Sequence, residues 1–301
     1  MNPDPYRLIG EKLGAGLRTE VPASVLTTYK AGGPLEAVAV PATREKLAWL
    51  RVFCRENGLP FRVLGAGSNV LVSDKGLKGV TVLTQAFSAI RTVGNTLYAG
   101  AGALWDDAVK AAVEAGLAGI EKTSGIPGTV GGAVFMNAGA FGQEAFDRLD
   151  SVEVLDGAGA FRTMKKSAFR HGYRRVEGLE GLVVLDAAFI LEPADKAALS
   201  SDRACVLARR AEKQPLDLPS AGSVFKRPEG DFASRLIDAA GLKGLRVGDA
   251  QVSEKHAGFI VNLGRASASD IRALMQKVRA AVKASSGVDL ELEQILLGDF
   301  D

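Results

Sequence analysis

The chain has 301 residues, of which 47% are hydrophobic and 24% are charged, proportions that are ordinary for a globular protein with a sizeable core. Lys and Arg number 37 and Asp and Glu number 35, so the net charge of +2 excludes long-range attraction to nucleic acid or to an acidic membrane. The two cysteines, Cys54 and Cys205, lack motif spacing, which argues against a disulfide framework and a zinc site and favours a reducing compartment. Two histidines are too few to predict a metal site or a histidine-based triad.

The N-terminal sequence predicts no targeting segment. Residues 1–14 are polar and lack the apolar run of a signal peptide, and no apolar run elsewhere is long enough to span a bilayer. We therefore expect a cytoplasmic protein that neither inserts into a membrane nor binds nucleic acid. We also expect a monomer.

The first part of the chain predicts a small α/β unit. Residues 1–24 are predicted as a lead-in that contains a short helix. Alternation over 36–40 predicts a strand, and a helix is predicted from Thr43 to an exit at Asn57-Gly58. Two β-branched runs then flank a tight glycine turn, GAGSN, at 65–69.

The middle of the chain predicts a sheet-rich α+β region. Hairpins are predicted at Gly94-Asn95 and Asp156-Gly157, and a helix over 104–115 lies between them. A long strand, LVVLDAAFILEP, closes the region. We place one domain over 25–194, made of two α+β subdomains that divide near residue 85.

The last part of the chain predicts a second α+β domain over 195–301. A charged helix over 194–213 leads into a segment rich in proline and turns. A short helix follows, and then a long helix that Ser267 and Asp270 cap. The final segment, DLELEQILLG, alternates as a strand, which would place Glu291 and Glu293 on one face.

The stretch over 124–144, SGIPGTVGGAVFMNAGAFGQE, has six glycines and one charged residue. A core helix would not tolerate so many glycines, since each costs about 1 kcal/mol relative to alanine. Two interpretations remain open. The backbone wraps a flat, phosphate-bearing cofactor with its amides exposed as donors, or the stretch is a buried packing segment.

The GAGSN turn does not fit a dinucleotide-binding fingerprint. It lacks the third glycine and the following helix, because a strand, VLVSD, comes next. Its backbone amides can still form an anion nest, and a plain hairpin turn is the alternative. Two glycine-rich elements on adjacent units can hold a pyrophosphate from two sides, which suits FAD better than a mononucleotide.

Three further segments hold candidates for chemistry, and each has an ordinary alternative. Ser223 lies on a turn between proline-rich segments, where serine commonly satisfies a turn amide. The arginine of the YRR segment over 173–175 lies in a loop, where solvation is the default. Glu291 and Glu293 could be surface carboxylates of an edge strand.

Together, these motifs resemble the family of UDP-N-acetylenolpyruvoylglucosamine reductases, the MurB family of peptidoglycan precursor synthesis. The resemblance runs from TTYKAGGP at 27–34 to LELEQILLG at 290–298. Its most specific segments are LGAGSNVLVSD, GIPGTVGGAVFMNAGAFGQE, the YR pair at 173–174, KQPLDLPSAGSVFKRP and LIDAAGLKGLRVGDAQVSEKHAGFIVN.

The resemblance implies an FAD-binding domain of the vanillyl-alcohol-oxidase type over 25–194 and a substrate-binding domain over 195–301. It also implies that NADPH reduces non-covalently bound FAD. The flavin then passes a hydride from N5 to C3 of the enolpyruvyl ether of a UDP-sugar, UDP-N-acetylglucosamine-enolpyruvate. Protonation at C2 gives UDP-N-acetylmuramate.

The resemblance assigns roles to individual residues. Hydride addition places charge on the enolpyruvyl carboxylate, and Arg174 and Glu293 match the residues that hold it. Ser223 matches the family's proton donor, Lys213 the lysine on the UDP pyrophosphate, and Arg227 a position that touches substrate in some members. The residues that match the FAD site are Gly65, Gly67, Ser68, Asn69, Gly125, Pro127, Gly131, Asn137, Gly139 and Arg210.

Three features depart from the family pattern. Arg175-Val176 replaces a small polar residue and serine, Gln294 replaces a usual valine, and a tyrosine-bearing loop is missing, as in the shorter, second type of the family. Two other functions remain open, an FAD oxidase of the same superfold and a flavin-binding module without catalysis. Such oxidases often tether the flavin to histidine or cysteine, and neither histidine lies near the glycine stretches in the sequence.

Overall fold

The computed structural model describes residues 4–300. Its helices are α1 (Pro5–Leu13), α2 (Arg44–Glu56), α3 (Trp105–Glu114), α4 (Val130–Phe135), α5 (Ala145–Arg148), α6 (Lys196–Lys213), α7 (Ala233–Ala239) and α8 (Ala268–Ser286). Its strands are β1 (Leu17–Pro22), β2 (Pro34–Ala39), β3 (Phe61–Leu64), β4 (Val70–Val72), β5 (Leu77–Leu83), β6 (Ile90–Val93), β7 (Thr96–Gly100), β8 (Leu117–Ala118), β9 (Gly139–Ala140), β10 (Gln143–Glu144), β11 (Leu149–Leu155), β12 (Phe161–Lys165), β13 (Arg170–Gly172), β14 (Arg175–Glu177), β15 (Val183–Ile190), β16 (Glu192–Pro193), β17 (Arg246–Val247), β18 (Ala250–Val252), β19 (Ile260–Asn262) and β20 (Ile295–Leu297). This mixture of helices and strands confirms the predicted α+β class.

The described chain divides into two compact units that are not consecutive in sequence. The first unit holds residues 4–19, 37–66 and 78–208, and the second holds residues 20–36, 67–77 and 209–300. These limits differ from the predicted ones at 24, 85 and 194, and residues 1–3 of the predicted lead-in lie outside the described residues.

The difference has a physical cause within the second unit, where the early segment 67–77 packs against two late segments. Strand β4 pairs in parallel with β20, and the Asp74 carboxylate accepts the N–H groups of Ala268 and Ser269 at 2.8 Å each. Strands β4 and β20 lie far apart in the sequence, and nothing in the local pattern predicts that they pair. The assignment of an FAD-binding and a substrate-binding domain stays a prediction.

One core of the first unit lies against α1 and α2. Helix α2 begins after Thr43, whose hydroxyl accepts the Lys46 N–H at 3.3 Å, and it ends at Asn57, as predicted. Strands β3 and β5 pair in parallel in the sheet β1-β2-β5-β3. Cys54 is fully buried here, and burial raises the pKa of its thiol to about 11, so it behaves as a small apolar side chain.

The other core of the first unit lies under an antiparallel five-stranded sheet of order β12-β11-β15-β7-β6. Its centre is Trp105, which is fully buried and meets Phe189 edge to face at 5.5 Å. The Trp105 Nε1–H donates to Thr123 Oγ1 at 2.9 Å, so burial of the indole leaves no polar atom unsatisfied. The two predicted hairpins are the pairs β6–β7 and β11–β12.

The second unit packs α7 and α8 on a three-stranded sheet of order β17-β18-β19. Ser267 and Asp270 form the predicted capping box of α8. The predicted terminal strand is shorter than expected, because β20 begins only at Ile295 and the preceding residues are extended without a regular ladder. No helix of residues 4–300 is long and apolar enough to cross a membrane.

Candidate active site

The second unit brings Ser223 and Glu293 onto neighbouring extended segments. The Val224 N–H donates to the Gly258 carbonyl at 2.9 Å, and the Glu293 N–H donates to the Val224 carbonyl at 2.9 Å. The segment of Ser223 therefore lies between the segments of Gly258 and Glu293, and each of them forms a backbone hydrogen bond with it. Glu291 lies two residues before Glu293. It is exposed and forms an ion pair with Lys226, which agrees with a surface role for that carboxylate.

The GAGSN turn is attached to the same region of the second unit. The Asn69 Nδ2 donates to the Glu293 carbonyl at 3.2 Å, and the Ile295 N–H donates to the Asn69 carbonyl at 3.0 Å. Gly67 has φ +63°, and a Cβ there would lie 2.8 Å from Thr27 Cα, so both conformation and space require glycine.

The turn also fits the phosphate of a nucleotide cofactor. Within residues 4–300, the backbone N–H groups of Gly67 and Asn69 donate no hydrogen bond. Ser68, between them, is half-buried. Neighbouring amides that the fold leaves as available donors form an anion nest, which is the chemistry that a pyrophosphate requires. This observation favours the nest over a plain hairpin turn.

The glycine-rich stretch of the first unit is partly a packing segment. The Gly131 N–H donates to the Ala101 carbonyl at 2.9 Å, and a Cβ at Gly131 would lie 3.0 Å from Ala101 Cβ. A Cβ at Gly139 would lie 2.5 Å from the Gln143 carbonyl oxygen. Protein atoms alone are therefore enough to require glycine at these two positions, and the predicted contact of Gly131 and Gly139 with FAD stays a prediction. The stretch as a whole is not a core helix, but the short helix α4 lies within it and includes Gly131 and Gly132.

Another part of the same stretch is open to solvent. Pro127, Gly132, Phe135 and Phe141 are exposed, the two phenylalanines to 44% and 40%. A Cβ at Gly132 would meet only Thr129 Oγ1, at 3.6 Å, which is ordinary contact. The packing requirement thus applies to Gly131 and Gly139, whereas the surface at Gly132 is open to a ligand.

The first glycine of the GAGSN turn approaches this stretch within the first unit. A Cβ at Gly65 would overlap Thr129 Oγ1, and Thr129 is the N-cap of α4. Gly65 and the start of α4 are therefore neighbours within the first unit.

Asn137 braces the stretch with its side chain. It is buried with φ +44°, its Nδ2 donates to Glu144 Oε2 at 2.6 Å and to the Gly172 carbonyl at 3.1 Å, and its Oδ1 accepts the Phe146 N–H at 3.0 Å. These three hydrogen bonds use both ends of the side-chain amide, which therefore has a structural role. A contact between FAD and the backbone of Asn137 stays a prediction.

Arg174 lies at the tip of the hairpin β13–β14 and contacts the same stretch. Its Nη1 donates to the Asn137 carbonyl at 3.3 Å and its Nη2 donates to the Gly139 carbonyl at 2.7 Å. Its φ of +54° is a left-handed conformation that a side chain rarely adopts, and such conformations concentrate at functional sites. The residues Arg175-Val176, whose effect on this loop was in question, form the regular start of β14.

His171 corrects one argument made from the sequence. The histidine lies in β13, its ring meets Phe146 edge to face at 4.8 Å, and the next residue, Gly172, accepts the Asn137 bond. A histidine that is remote in sequence is therefore close in space to the glycine-rich stretch. Its sequence distance does not count against a tethered flavin.

Two anchors of the stretch carried no sequence motif and were missed. Asp106 Oδ1 accepts the Gly125 N–H at 2.6 Å while both carboxylate oxygens bind the Arg203 guanidinium at 2.6 and 2.7 Å. Near the other end, Glu121 accepts the Gln143 amide at 2.7 Å. Burial opposes ionisation of Glu121, but hydrogen bonds from Gly119 and Gln143 outweigh it and lower its pKa. In the sequence, Asp106 is identified only as one of the acidic residues that favour the first turn of α3.

The remaining predicted residues lie in the second unit. Arg210 is buried near the end of α6 and its Nη1 donates to Gln214 Oε1 at 3.3 Å. Lys213 is exposed at the last position of that helix. Arg227 is exposed, with its Cζ 4.6 Å from the ring centroid of Phe232.

His256 lies beside the segment of Ser223. Its Nδ1 accepts the Gly258 N–H at 3.1 Å, and the Gly258 carbonyl accepts the Val224 N–H. Burial lowers the pKa of His256, because a charged imidazole would lose hydration there. The neutral ring with its proton on Nε2 is the form that this bond requires.

We expect His256 to make stability depend on pH. A depressed folded-state pKa means that the unfolded chain takes up the proton first, so the stabilisation is present above about pH 6.5 and is lost as the pH falls through the folded-state pKa. His256→Asn is the matched control, because its side-chain oxygen can accept the Gly258 N–H and does not titrate. Melting temperatures measured at about pH 8 and about pH 5.5 should fall further for the unchanged protein than for the variant. Equal falls would contradict this expectation.

Comparison with known proteins decides the family. Residues 35–165 match an FAD binding domain, and residues 214–297 match the C-terminal domain of UDP-N-acetylenolpyruvoylglucosamine reductase. The UDP-N-acetylenolpyruvoylglucosamine reductase of Clostridium beijerinckii is 44% identical over 272 residues, which are 90% of this chain and 90% of that protein. The chain belongs to the UDP-N-acetylenolpyruvoylglucosamine reductase family.

Other UDP-N-acetylenolpyruvoylglucosamine reductases agree with this membership. The enzyme of Enterococcus faecalis is 41% identical over 284 residues, which are 94% of this chain and 95% of that protein. A crystal structure of the reductase (MurB) from Thermus caldophilus matches with a TM-score of 0.82 at 38% identity, over 94% of this chain and 100% of that one. The predicted family and the FAD-binding fold are confirmed, and the chain is an oxidoreductase of peptidoglycan precursor synthesis with FAD as its cofactor.

Proposed function

We propose that this chain reduces the enolpyruvyl ether of UDP-N-acetylglucosamine-enolpyruvate to UDP-N-acetylmuramate, with NADPH as the hydride donor. The observation that carries the proposal is the hydrogen bond between the segments of Ser223 and Glu293, from the Glu293 N–H to the Val224 carbonyl. A hydroxyl group and a carboxyl group are thereby held on neighbouring extended segments of one unit. The turn at 67–69 is bonded to the same segment through Asn69.

FAD, when bound, supplies the hydride that the enolpyruvyl group accepts. The amides of Gly67 and Asn69 and the hydroxyl of Ser68 would hold its pyrophosphate, because these amides are available as donors. The exposed residues Pro127 and Gly132 would line the cofactor, with Arg210 near it. We propose that the binding is non-covalent.

Arg174 and Glu293 hold the enolpyruvyl carboxylate in this mechanism. Hydride addition at C3 increases negative charge on that carboxylate, so a cation fixed beforehand stabilises the transition state more than one that must reorganise. The two carbonyl contacts of Arg174 fix the guanidinium in this way. Glu293 would donate a hydrogen bond to the same carboxylate, a role that requires its carboxyl group to carry a proton in the complex.

Ser223 protonates C2 of the substrate. A serine hydroxyl is a weak acid in water, but the enolic carbon that it meets is strongly basic, so the transfer is chemically reasonable. Histidine is not required for this step. His256, whose pKa is lowered by burial, is engaged through Nδ1 with Gly258 and maintains the backbone beside the serine.

Two exposed cations would recognise the nucleotide part of the substrate. We propose that Lys213 binds the UDP pyrophosphate as a point charge. We propose that Arg227, whose guanidinium lies over the Phe232 ring, contacts the substrate as well. The protein would work as a cytoplasmic monomer.

The direct test is identification of the product. Incubation of the holoenzyme with NADPH and UDP-N-acetylglucosamine-enolpyruvate should consume one NADPH per molecule of UDP-N-acetylmuramate, identified by chromatography and mass. Acid precipitation should release the flavin into solution, as non-covalent binding requires. Flavin that stays with the precipitated protein, together with oxygen consumption and no product, would indicate the oxidase alternative.

A further inference from the structure

Gln294 is a buried amide that joins three segments of the second unit. It is only 3% exposed. Its Oε1 accepts the Tyr29 hydroxyl at 3.0 Å, and its Nε2 donates to the Ala221 carbonyl at 2.9 Å and to the Gly222 carbonyl at 3.3 Å. Both ends of the amide are therefore used, as burial of a polar group requires.

Tyr29 depends on Gln294 in turn. Its ring is fully buried, and burial raises the pKa of its phenol, so it remains a neutral donor. Its carbonyl accepts the Asn262 Nδ2 at 2.9 Å, which fixes the backbone. Removal of Gln294 would leave a buried hydroxyl without an acceptor, and that costs more than the net value of the bond.

The turn before Ser223 depends on Gln294 for support. Gly222 has φ +72°, and no heavy atom lies within 4 Å of the place where a Cβ would be. Gly222 itself has no side chain to pack, although Ala221 and Val224 on either side of the turn are buried in the core. The Gln294 amide holds the carbonyls of Ala221 and Gly222 by hydrogen bonds. Gln294 also follows Glu293 directly in the sequence. Its side chain therefore holds the residue before Ser223, and its backbone is joined to Glu293.

We propose that Gln294 is a positioning residue, which with Tyr29 fixes the hydroxyl of Ser223 relative to Glu293 for proton transfer to the substrate carbon. The inference rests on the proposed function. Gln294 is too deeply buried to touch the substrate itself.

The primary test is Gln294→Met, which keeps the length of the side chain and removes its hydrogen bonds. The rate at which the enolpyruvyl substrate reoxidises the NADPH-reduced flavin should fall roughly 10- to 100-fold, since small misplacements of a reacting group have effects of this size. The rate of flavin reduction by NADPH and the affinity for FAD should not change. The solvent deuterium isotope effect on reoxidation should increase, because proton transfer becomes slower. A purely structural role would not change that isotope effect.

Two further variants separate positioning from loss of stability. Val278→Ala, in the buried face of α8, should lower the melting temperature and leave both half-reactions unchanged. The double variant Tyr29→Phe/Gln294→Met removes both buried polar groups together, so it should regain melting temperature relative to Gln294→Met. Its reoxidation should stay slow, because the Gly222 carbonyl still lacks its donor. In flavin-free protein, hydrogen exchange over 222–226 should be faster in both Gln294 variants.

The outcomes distinguish this inference from the proposed function. If the unchanged protein is not reoxidised by the enolpyruvyl substrate, or if Ser223→Ala remains fully active, the proposed function fails and the positioning role fails with it. If both behave as proposed but the double variant reoxidises at the normal rate with a normal isotope effect, only the positioning role is overturned. A loss in both half-reactions of the double variant would also overturn it.

Discussion

Ser223→Ala should leave flavin reduction by NADPH unchanged and slow substrate turnover by about a hundredfold to ten-thousandfold, the usual contribution of a positioned acid. The serine is half-buried on a segment whose neighbour Val224 bonds to Gly258 and Glu293. The hydroxyl is a small part of this framework, so its removal takes away a proton without moving the backbone. Stopped-flow absorbance of the flavin measures the two half-reactions separately.

Ser220→Ala is the matched control for this experiment. It removes the same atom from the same proline-rich segment, three positions earlier, and has no assigned role. Both half-reactions should match those of the unchanged protein. A flavin-binding module without catalysis would behave identically in Ser223→Ala and Ser220→Ala, and equal turnover in the two variants would contradict the role of Ser223.

Two glycines of the stretch over 124–144 should respond in opposite ways to substitution. Gly139→Ala should lower the free energy of unfolding of flavin-free protein by roughly 1–3 kcal/mol, since its Cβ must displace the Gln143 carbonyl. Gly132→Leu should leave that free energy unchanged or raise it, because the position is exposed and helical and leucine has a higher helix propensity than glycine. Its affinity for FAD should fall at least about tenfold, equal to about 1.4 kcal/mol.

Denaturant unfolding measures the first quantity and a fluorescence titration with FAD measures the second. Gly157→Leu is the control, because a Cβ there would also make only ordinary contact, at 3.6 Å with Arg51 Nη2, and the turn carries no assigned function. It should change neither quantity. Normal FAD affinity in Gly132→Leu would remove the exposed face of the stretch from the cofactor site.

Local signals predicted the local structure well. The cap at Thr43, the capping box of Ser267 and Asp270 and the glycine exits gave helices close to those observed, because their causes lie within a few residues. The limits of the compact units were not predictable in the same way. They depend on pairings such as β4 with β20, for which neither segment carries a distinguishing pattern.

The candidate site was predictable mainly through motifs, and its supports were not. Glycine at 131 and 139 looked like space for a ligand, but the residues that fill the space are Ala101 and Gln143, which no motif marks. Asp106 and Gln294 act through contacts that close only in the folded chain. A sequence indicates that glycine is required at a position, whereas the structure identifies the atoms that require it.

The most direct measurement is an anaerobic flavin spectrum of the purified protein. We expect a yellow protein whose flavin absorbance is bleached by NADPH and returns when UDP-N-acetylglucosamine-enolpyruvate is added without oxygen. The return of the oxidised spectrum tests the cofactor, the hydride donor and the acceptor in one sample. A protein that takes up no FAD, or a reduced flavin that the enolpyruvyl substrate does not reoxidise, would contradict this expectation.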